Sequence, residues 1–346
     1  MLGLHNECDN TSSVTDHHLY NQRMKASSLS RSRFPLAMLS FVFLSAQAGG
    51  DGESGKDYAV IKVSRLECTV GNNRALGEHR AWYNGIFRLL SPDCPETPFV
   101  PVFSGLNLEH YFDARPASDD RAIFFEPRSA PMEFRLVNST TAELHQAATP
   151  FFGVESTTRF ELHDPYYINM TFSCIPRQPG LAGNFLGVFW ASYINGPENK
   201  SIYFLAPGSS LDKPVWVQFL TQEHNRDSTV RNEADPVEVA FDSTNPTLWN
   251  NLSPLRYSAP FFYGRFRNMV LVFVFKPDNR IRFSHSPSGG GLTKAGDGQN
   301  PAWDFQLIIP DYRVGEEYQL NARLIYKPWK DQKDVLSEVR RYLEGK

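Results

Sequence analysis

The chain has 346 residues, of which 41% are hydrophobic and 21% charged, and its formal net charge is -3. This much apolar material excludes a disordered chain, and the lack of net positive charge disfavours a protein that binds nucleic acid through bulk electrostatics. The length allows one large β domain or two ordinary domains.

Residues 1–48 read as an N-terminal extension followed by a secretory signal peptide. Arginines at 31 and 33 precede an apolar run at 34–44, and the small-residue step at 46–48 follows it. The run is shorter than the roughly 20 residues of a membrane-spanning helix. Because the polar stretch before Met24 is unlike the start of a signal peptide, we expect translation to begin at Met24. The pattern predicts a secreted or periplasmic protein with no membrane span in its mature form.

The mature part, 58–346, reads as a single large β domain. Apolar and polar residues alternate at 167–174, which is typical of a half-buried strand. Continuous apolar runs at 185–190 and 269–275 favour central strands covered on both faces. The other predicted strands are 58–66, 121–126, 133–137, 158–162, 201–204, 215–219, 237–241, 280–284, 305–309 and 318–326.

One helix is predicted, at 332–343. Either Asp331 or Asp334 can cap its N-terminus. Val335 opens an apolar stripe with helical spacing, and Glu338 is expected on the outer side. We expect the stripe to pack on the edge or end of a sheet.

Turn residues separate the strand runs at short intervals, and the segment 276–280 is predicted to form a hairpin turn. The predicted fold class is therefore all-β: a large antiparallel β-sandwich, of the supersandwich or double jelly-roll type, with one C-terminal α-helix.

Three cysteines remain after the signal segment. An oxidising compartment permits one disulfide among them, and Cys68 and Cys94 are the nearest pair in the sequence. Cys174 lies on the apolar side of a predicted strand, which suits a buried free thiol.

The candidate catalytic residues come from polar clusters at predicted strand ends. No esterase, zinc-protease, P-loop or dinucleotide-binding motif is present, and strand ends are where ligands meet side chains. The segment 223–227 is the densest cluster for acid–base work; its alternative is a solvated loop with a local ion pair. For Glu155 the alternative is a structural ion pair with Arg159, and for His285 a hydrogen-bonded loop histidine. The catalytic candidates are His224, His285, Glu155 and Asp227.

Aromatic residues near the strand ends suggest a sugar ligand. Flat rings stack on the C–H face of a sugar, and planar polar groups bind paired hydroxyls. Core packing is the alternative for the two tryptophans. The candidate substrate-binding residues are Trp190, Tyr193, Arg226, Trp303 and Asp304.

A metal site has little support. His110 beside Glu109, with Asp113 three residues on, is a weak mixed-ligand pattern. We therefore predict no metal and no cofactor. A metal-dependent oxidoreductase or hydrolase using His110 is the least favoured class.

Two resemblances bear on function. The segments 158–203, 261–266, 283–291 and 326–329 resemble secreted bacterial proteins of no assigned activity. The long antiparallel series is similar to the supersandwich of galactose mutarotase-like proteins. That likeness implies a sugar handled by His with Glu or Asp on a concave sheet face, and it carries over no individual residue.

We predict an exported carbohydrate-directed protein that binds a sugar or polysaccharide at strand-end loops. If the protein is an enzyme, it also modifies that ligand. No nucleic acid partner is expected. The alternative is a non-catalytic envelope or ligand-binding protein. Convergence of two of His110, His224 and His285 with Glu155 or Asp304 in one cleft would favour an enzyme, because acid–base partners must reach one substrate.

Overall fold

A computed structural model describes residues 55–241, 244 and 246–345, and the predicted signal segment lies outside them. The described chain is mainly β-strand. The strands are β1 Tyr58–Val63, β2 Leu66–Gly71, β3 Gly85–Leu90, β4 Asn107–Phe112, β5 Glu133–Asn138, β6 Thr141–Gln146, β7 Val154–His163, β8 Tyr167–Pro176, β9 Phe185–Ala191, β10 Ile202–Leu205, β11 Trp216–Phe219, β12 Thr229–Asn232, β13 Leu252–Tyr257, β14 Phe261–Phe266, β15 Met269–Phe275, β16 Ile281–Ser286, β17 Ala302–Pro310 and β18 Tyr318–Pro328. The helices are α1 Arg121–Phe124, α2 Glu126–Ser129 and α3 Gln332–Leu343.

Two large sheets form the sandwich. The nine-stranded sheet has the order β11-β10-β14-β15-β18-β8-β7-β6-β5, and the six-stranded sheet has the order β13-β12-β16-β17-β9-β4. A third sheet consists of β1-β2-β3. The strand pairs in the described chain are antiparallel apart from β12 with β13. The predicted antiparallel β-sandwich with a C-terminal helix is thus confirmed.

Aromatic side chains join the two large sheets. Phe172 of β8 meets Trp190 of β9 edge to face, with ring centroids 4.8 Å apart. The ring of Trp303 lies over Gly264 of β14, where a Cβ atom would come within 2.3 Å of the indole. Both tryptophans are fully buried. They are core residues, as the alternative interpretation of the sequence held.

Helix α3 covers the outer face of the nine-stranded sheet. Val335 and Val339 pack with Val272 of β15 and Ile325 of β18. The Asp331 side chain accepts a hydrogen bond from the backbone of the first turn and caps the helix. Since β15 and β18 are inner strands, the helix lies on the face of the sheet, and the expected position at an edge or end is wrong.

Glu338 is buried under this helix, although the sequence placed it on the outer side. Its carboxylate accepts hydrogen bonds from Lys327 Nζ at 2.6 Å and from the Tyr166 and Tyr167 hydroxyls at 3.0 and 2.9 Å. Arg341 Nη1 lies 3.0 Å away. The buried charge is tolerated because it is paired and hydrogen-bonded on several sides.

Four local predictions differ from the structure. The segment 237–241, predicted as a strand, contains no strand, and the Val237 carbonyl instead accepts a hydrogen bond from Arg282 Nη2 at 2.7 Å. Residues 121–126 form helical turns because the Asp120 side chain caps the backbone N–H of Ala122. The segment 276–280 joins β15 to β16, which belong to different sheets, so it turns between the layers and forms no hairpin. The segment 58–66 spans β1 and the start of β2, which pair as a hairpin.

The three cysteines outside the signal segment are free and buried. Cys68 lies opposite Leu89 in the β2–β3 ladder, and the Cys94 thiol donates to the Glu96 carbonyl at 3.6 Å. The pairing of Cys68 with Cys94 is therefore not formed, whereas the buried free thiol at Cys174 is confirmed. Among the described residues, no helix is long and apolar enough to cross a membrane.

Replacing Glu338 with Ala should destabilise the fold strongly. The substitution leaves the buried Lys327 ammonium with a single carboxylate, Asp334 at 3.0 Å. Breaking a buried pair from one side costs about 3 kcal/mol or more. Urea unfolding of Glu338→Ala measures this loss.

The matched control is Arg226→Ala, which breaks the exposed Arg226–Glu223 pair. Exposed pairs contribute less than about 1 kcal/mol, so little change in unfolding free energy is expected. Equal losses in the two variants would contradict the structural role given to Glu338.

Candidate functional site

A cavity of about 230 Å³ lies on the face of the six-stranded sheet that points away from the nine-stranded sheet. Strands β4, β9 and β17 contribute to it, and helices α1 and α2 and five loops complete its walls. The residues that line the cavity include Tyr83, Glu109, His110, Phe124, Arg128, Tyr193, His224, Thr247, Trp249 and Asp304.

A β-bulge in β4 directs two adjacent polar residues into this cavity. Leu108 pairs with Trp190 and His110 pairs with Phe189, which leaves Glu109 as an extra residue. Strict alternation would send one of two neighbouring residues to the core. The bulge removes that constraint, so Glu109 and His110 both face outward.

Glu109 is a buried carboxylate with several partners. Its oxygens accept hydrogen bonds from the Tyr193 hydroxyl and from Asn107 Nδ2, the latter at 2.8 Å. His110 Nε2 lies at 3.2 Å and Arg128 Nη1 at 3.6 Å. Burial alone raises the pKa of this carboxyl, but Arg128, His110 and Tyr193 together lower it to about 2. Glu109 is therefore ionised at neutral pH.

Asp304 of β17 is the opposite kind of carboxyl. Its Oδ1 accepts the backbone N–H of Ser192 at 3.0 Å, while its buried Oδ2 has no hydrogen-bond partner within the described chain. Complete burial raises the pKa of Asp304 well above its ordinary value, and the nearby charge of Glu109 raises it further. The protonated form of this carboxyl is therefore favoured in the folded protein, and the residue lies in the wall of the cavity.

His224 approaches from the loop after β11. Its Nδ1 hydrogen-bonds Ser286 Oγ at 2.7 Å. Burial lowers the pKa of the imidazole, and the charge of Glu109 opposes that shift. The next residue, Asn225, has φ +61°, a left-handed conformation that Asn tolerates better than most residues. His224 is thus a neutral imidazole, held from one side and available as a base.

Arg128 supplies the cationic wall. Its guanidinium lies 3.8 Å from the Tyr83 ring centroid and 4.3 Å from that of Phe125. Its Nε donates to the Trp82 carbonyl at 2.7 Å. Stacking and hydrogen bonding fix the group beside Glu109, as expected for arginine in a desolvated site.

Of the nine site residues predicted from the sequence, the structure brings three to this cavity: Tyr193, His224 and Asp304. His110 lines it too. The condition stated for an enzyme, two histidines converging with Asp304 in one cleft, is met.

The other six predicted residues lie elsewhere. Trp190 and Trp303 are in the core. His285 is buried and hydrogen-bonds Thr221 Oγ1 at 2.7 Å and the Lys200 carbonyl at 2.9 Å. Each of these side chains is used for packing or for internal hydrogen bonds, so none faces the cavity.

The remaining three are on the surface or on the other sheet. Glu155 of β7 pairs with Arg177 at 2.8 Å, and not with Arg159. Arg226 pairs with Glu223 in the open. The backbone of Asp227 has φ +47°, and its N–H donates a hydrogen bond to Asn251 Oδ1. Glu155 and Arg226 are thus in structural ion pairs, as their alternatives proposed, but the expected partner of Glu155, Arg159, is wrong.

Sequence reasoning missed the roles of Glu109 and Arg128. The one sequence feature that points to this site is the adjacent Glu109-His110 pair, and its spacing from Asp113 indicates only a weak metal-binding pattern. Its third member, Asp113, is instead paired with the Arg115 guanidinium. No local pattern in the sequence marks a bulge, and the partner Arg128 is 19 residues away.

No family model matches the chain, and no curated protein matches it. Similar solved structures include a candidate aldose 1-epimerase from Escherichia coli K12 (10% identity, TM-score 0.45, 80% of this chain and 100% of that one). A galactose mutarotase-like protein from Lactobacillus casei (8%, 0.45, 78% and 100%) and the GalM/aldose epimerase homologue from C. elegans (9%, 0.45, 80% and 100%) are similar to the same degree.

The expected architectural likeness to mutarotase-like proteins is thus present at low identity. The resemblance to secreted bacterial proteins stays a prediction.

Asp304→Asn should stabilise the protein at neutral pH. The unfolded carboxyl ionises near its ordinary pKa of 3.8, whereas burial raises the pKa of the native carboxyl well above that value. The free energy of unfolding of the wild type therefore falls as pH rises above that value. Asn keeps the acceptor for Ser192 without ionising, so we expect a gain of about 1 kcal/mol at pH 7 that shrinks towards pH 4, measured by urea unfolding.

Asp113→Asn provides the control of opposite sign. Asp113 accepts hydrogen bonds from the Arg115 side chain and from the backbone N–H groups of Arg115 and Ala182, and losing its charge should destabilise the fold. An Asp304→Asn variant less stable than the wild type at pH 7 would contradict a protonated Asp304.

Proposed function

We propose that the cavity binds a single sugar ring and catalyses the interconversion of its anomers by acid–base chemistry. The observation that carries the proposal is the pairing of a proton-holding Asp304 with a neutral His224 in the same cavity. Titratable groups whose environments push their pKa values apart are the usual acid and base of an active site.

The size and lining of the cavity favour one sugar ring. Its volume of about 230 Å³ is below the roughly 300 Å³ at which pockets for drug-sized ligands begin. Phe124 and Trp249 offer flat faces for a C–H surface. Arg128, Tyr193 and Asp304 offer polar groups for hydroxyls.

The reaction needs one proton donor and one acceptor. His224 accepts the proton of the anomeric hydroxyl while Asp304 donates its proton to the ring oxygen. The bond between the anomeric carbon and the ring oxygen breaks, and an open-chain aldehyde forms. Rotation about the bond between C1 and C2 of the open-chain sugar presents the other face of the aldehyde. Reversal of both proton transfers then closes the ring as the other anomer. No oxidant or co-reactant is consumed.

Glu109 supplies a fixed negative charge to this cycle. Its low pKa makes it a poor base, but its charge favours the imidazolium that His224 becomes. Burial is the main cause of the raised pKa of Asp304, and the charge of Glu109 raises that pKa further. One buried carboxylate thus contributes to the preparation of both the acid and the base.

Polarimetry of freshly dissolved α-D-glucose and α-D-galactose tests the proposal. The wild type should accelerate the change of optical rotation for at least one of them. Asp304→Asn and His224→Gln should each lower kcat by about a hundredfold or more, because each removes a proton-transfer group.

Glu155→Gln serves as the control, because Glu155 lies on the other sheet in an exposed ion pair; its activity should equal that of the wild type. Sugar binding without acceleration would favour the non-catalytic alternative. Full activity in Asp304→Asn would remove the assigned acid.

We also propose that the protein acts after export, as the signal pattern at 31–48 suggests. The mature protein should begin after Ala48, and N-terminal sequencing of the exported form measures this. A mature N-terminus before Ala46 would contradict the assignment.

A further inference from the structure

A second cavity, of about 320 Å³, adjoins the first. It is lined by Phe112, Ile123, Phe151 and Phe152, with Asp113 and Arg115 also in its wall. Phe124 and Trp249 line both cavities and form their common wall, with ring centroids 5.5 Å apart.

The two cavities follow one another along β4. His110 lies in the first and Phe112 in the second, and both point away from the core. Residues two apart on the same face of a strand are separated by about 7 Å. The rings of Phe124 and Trp249 are what separates the two cavities, so a ligand that occupies both has to pass beside these rings.

The polar atoms of the two cavities differ. The first contains two buried oxygens without partners within the described chain, Asp304 Oδ2 and Thr247 Oγ1. The buried polar side-chain atoms of the second, as far as the structure describes them, are satisfied. Its ionised pair is internally neutral, since the Asp113 carboxylate accepts hydrogen bonds from the Arg115 side chain.

The Arg115 guanidinium is further occupied by stacking. It lies 4.6 Å from the Phe151 ring centroid, so its polar edge is held by Asp113 and its flat face by an aromatic ring. The wall of the second cavity therefore demands no hydrogen bond from a ligand and offers mainly aromatic and aliphatic surface.

We propose that this second cavity holds an apolar substituent of the same sugar ligand, an alkyl, acyl or aryl group attached to the ring. The inference rests on the proposed sugar site and specifies its substrate class as an apolar derivative of a sugar. A substituent at a carbon other than the anomeric one leaves the ring-opening reaction possible.

Titration calorimetry with the full chain tests the inference. The probes are octyl and methyl glycosides of glucose and galactose, and the 6-O-octanoyl and 6-O-acetyl esters of both sugars, all below micelle-forming concentrations. At least one long-chain probe should bind ten times or more tighter than its short-chain counterpart, because the chain leaves water. No gain in any pair would overturn the inference.

Ile123 provides the matched variants, because it lines the second cavity and not the first. Ile123→Asn should reduce the long-to-short affinity ratio at least fivefold, since it places an amide against the chain. Ile123→Leu keeps an apolar side chain and should preserve the ratio. An unchanged ratio in Ile123→Asn would overturn the location.

Failure of this inference and failure of the proposed function are distinguishable. Turnover lost in Asp304→Asn, with no chain-length effect, would retain the sugar site and remove the second one. Binding of 1-octanol that depends on Ile123, with no added affinity from a sugar ring, would remove the shared ligand.

Discussion

The buried carboxylate of Glu109 is the interaction on which the site depends. A charge removed from water is stable only when it is paired and hydrogen-bonded, and here Arg128, His110, Asn107 and Tyr193 meet that requirement. Its negative charge then acts on the other two groups of the cavity. It adds to burial in raising the pKa of Asp304, and it opposes the effect of burial, which lowers the pKa of His224.

The sandwich makes this arrangement possible because the two faces of the six-stranded sheet have different surroundings. The inner face of the six-stranded sheet is filled with large side chains such as Trp190 and Trp303. The outer face of the same strands holds a second apolar cluster, which includes Phe112 and Phe189, and the polar residues of the cavity beside it. Asp304 lies between the core residues Trp303 and Phe305 on β17, so the packing that fixes these neighbours also fixes the direction of the carboxyl.

Much of the fold was predictable from local patterns. The alternation at 167–174 and the apolar run at 269–275 both predicted strands that the structure contains as Tyr167–Pro176 and Met269–Phe275, because alternation and run length report burial directly. The strand predicted at 121–126 is wrong because a single capping side chain decided between helix and strand. The hairpin predicted at 276–280 is wrong because the two strands that it joins belong to different sheets, which contacts distant in sequence determine.

The sequence by itself determined the fold class, most of the strands although not β4, the C-terminal helix, and three of the side chains in the cavity, Tyr193, His224 and Asp304. These follow from periodicity and from polar residues at strand ends. Only the tertiary structure decided that Glu109 and His110 share one face, that Arg128 pairs with Glu109, and that the pKa of Asp304 is raised. Each of these depends on a bulge or on burial, and both arise from the packing of segments far apart in the chain.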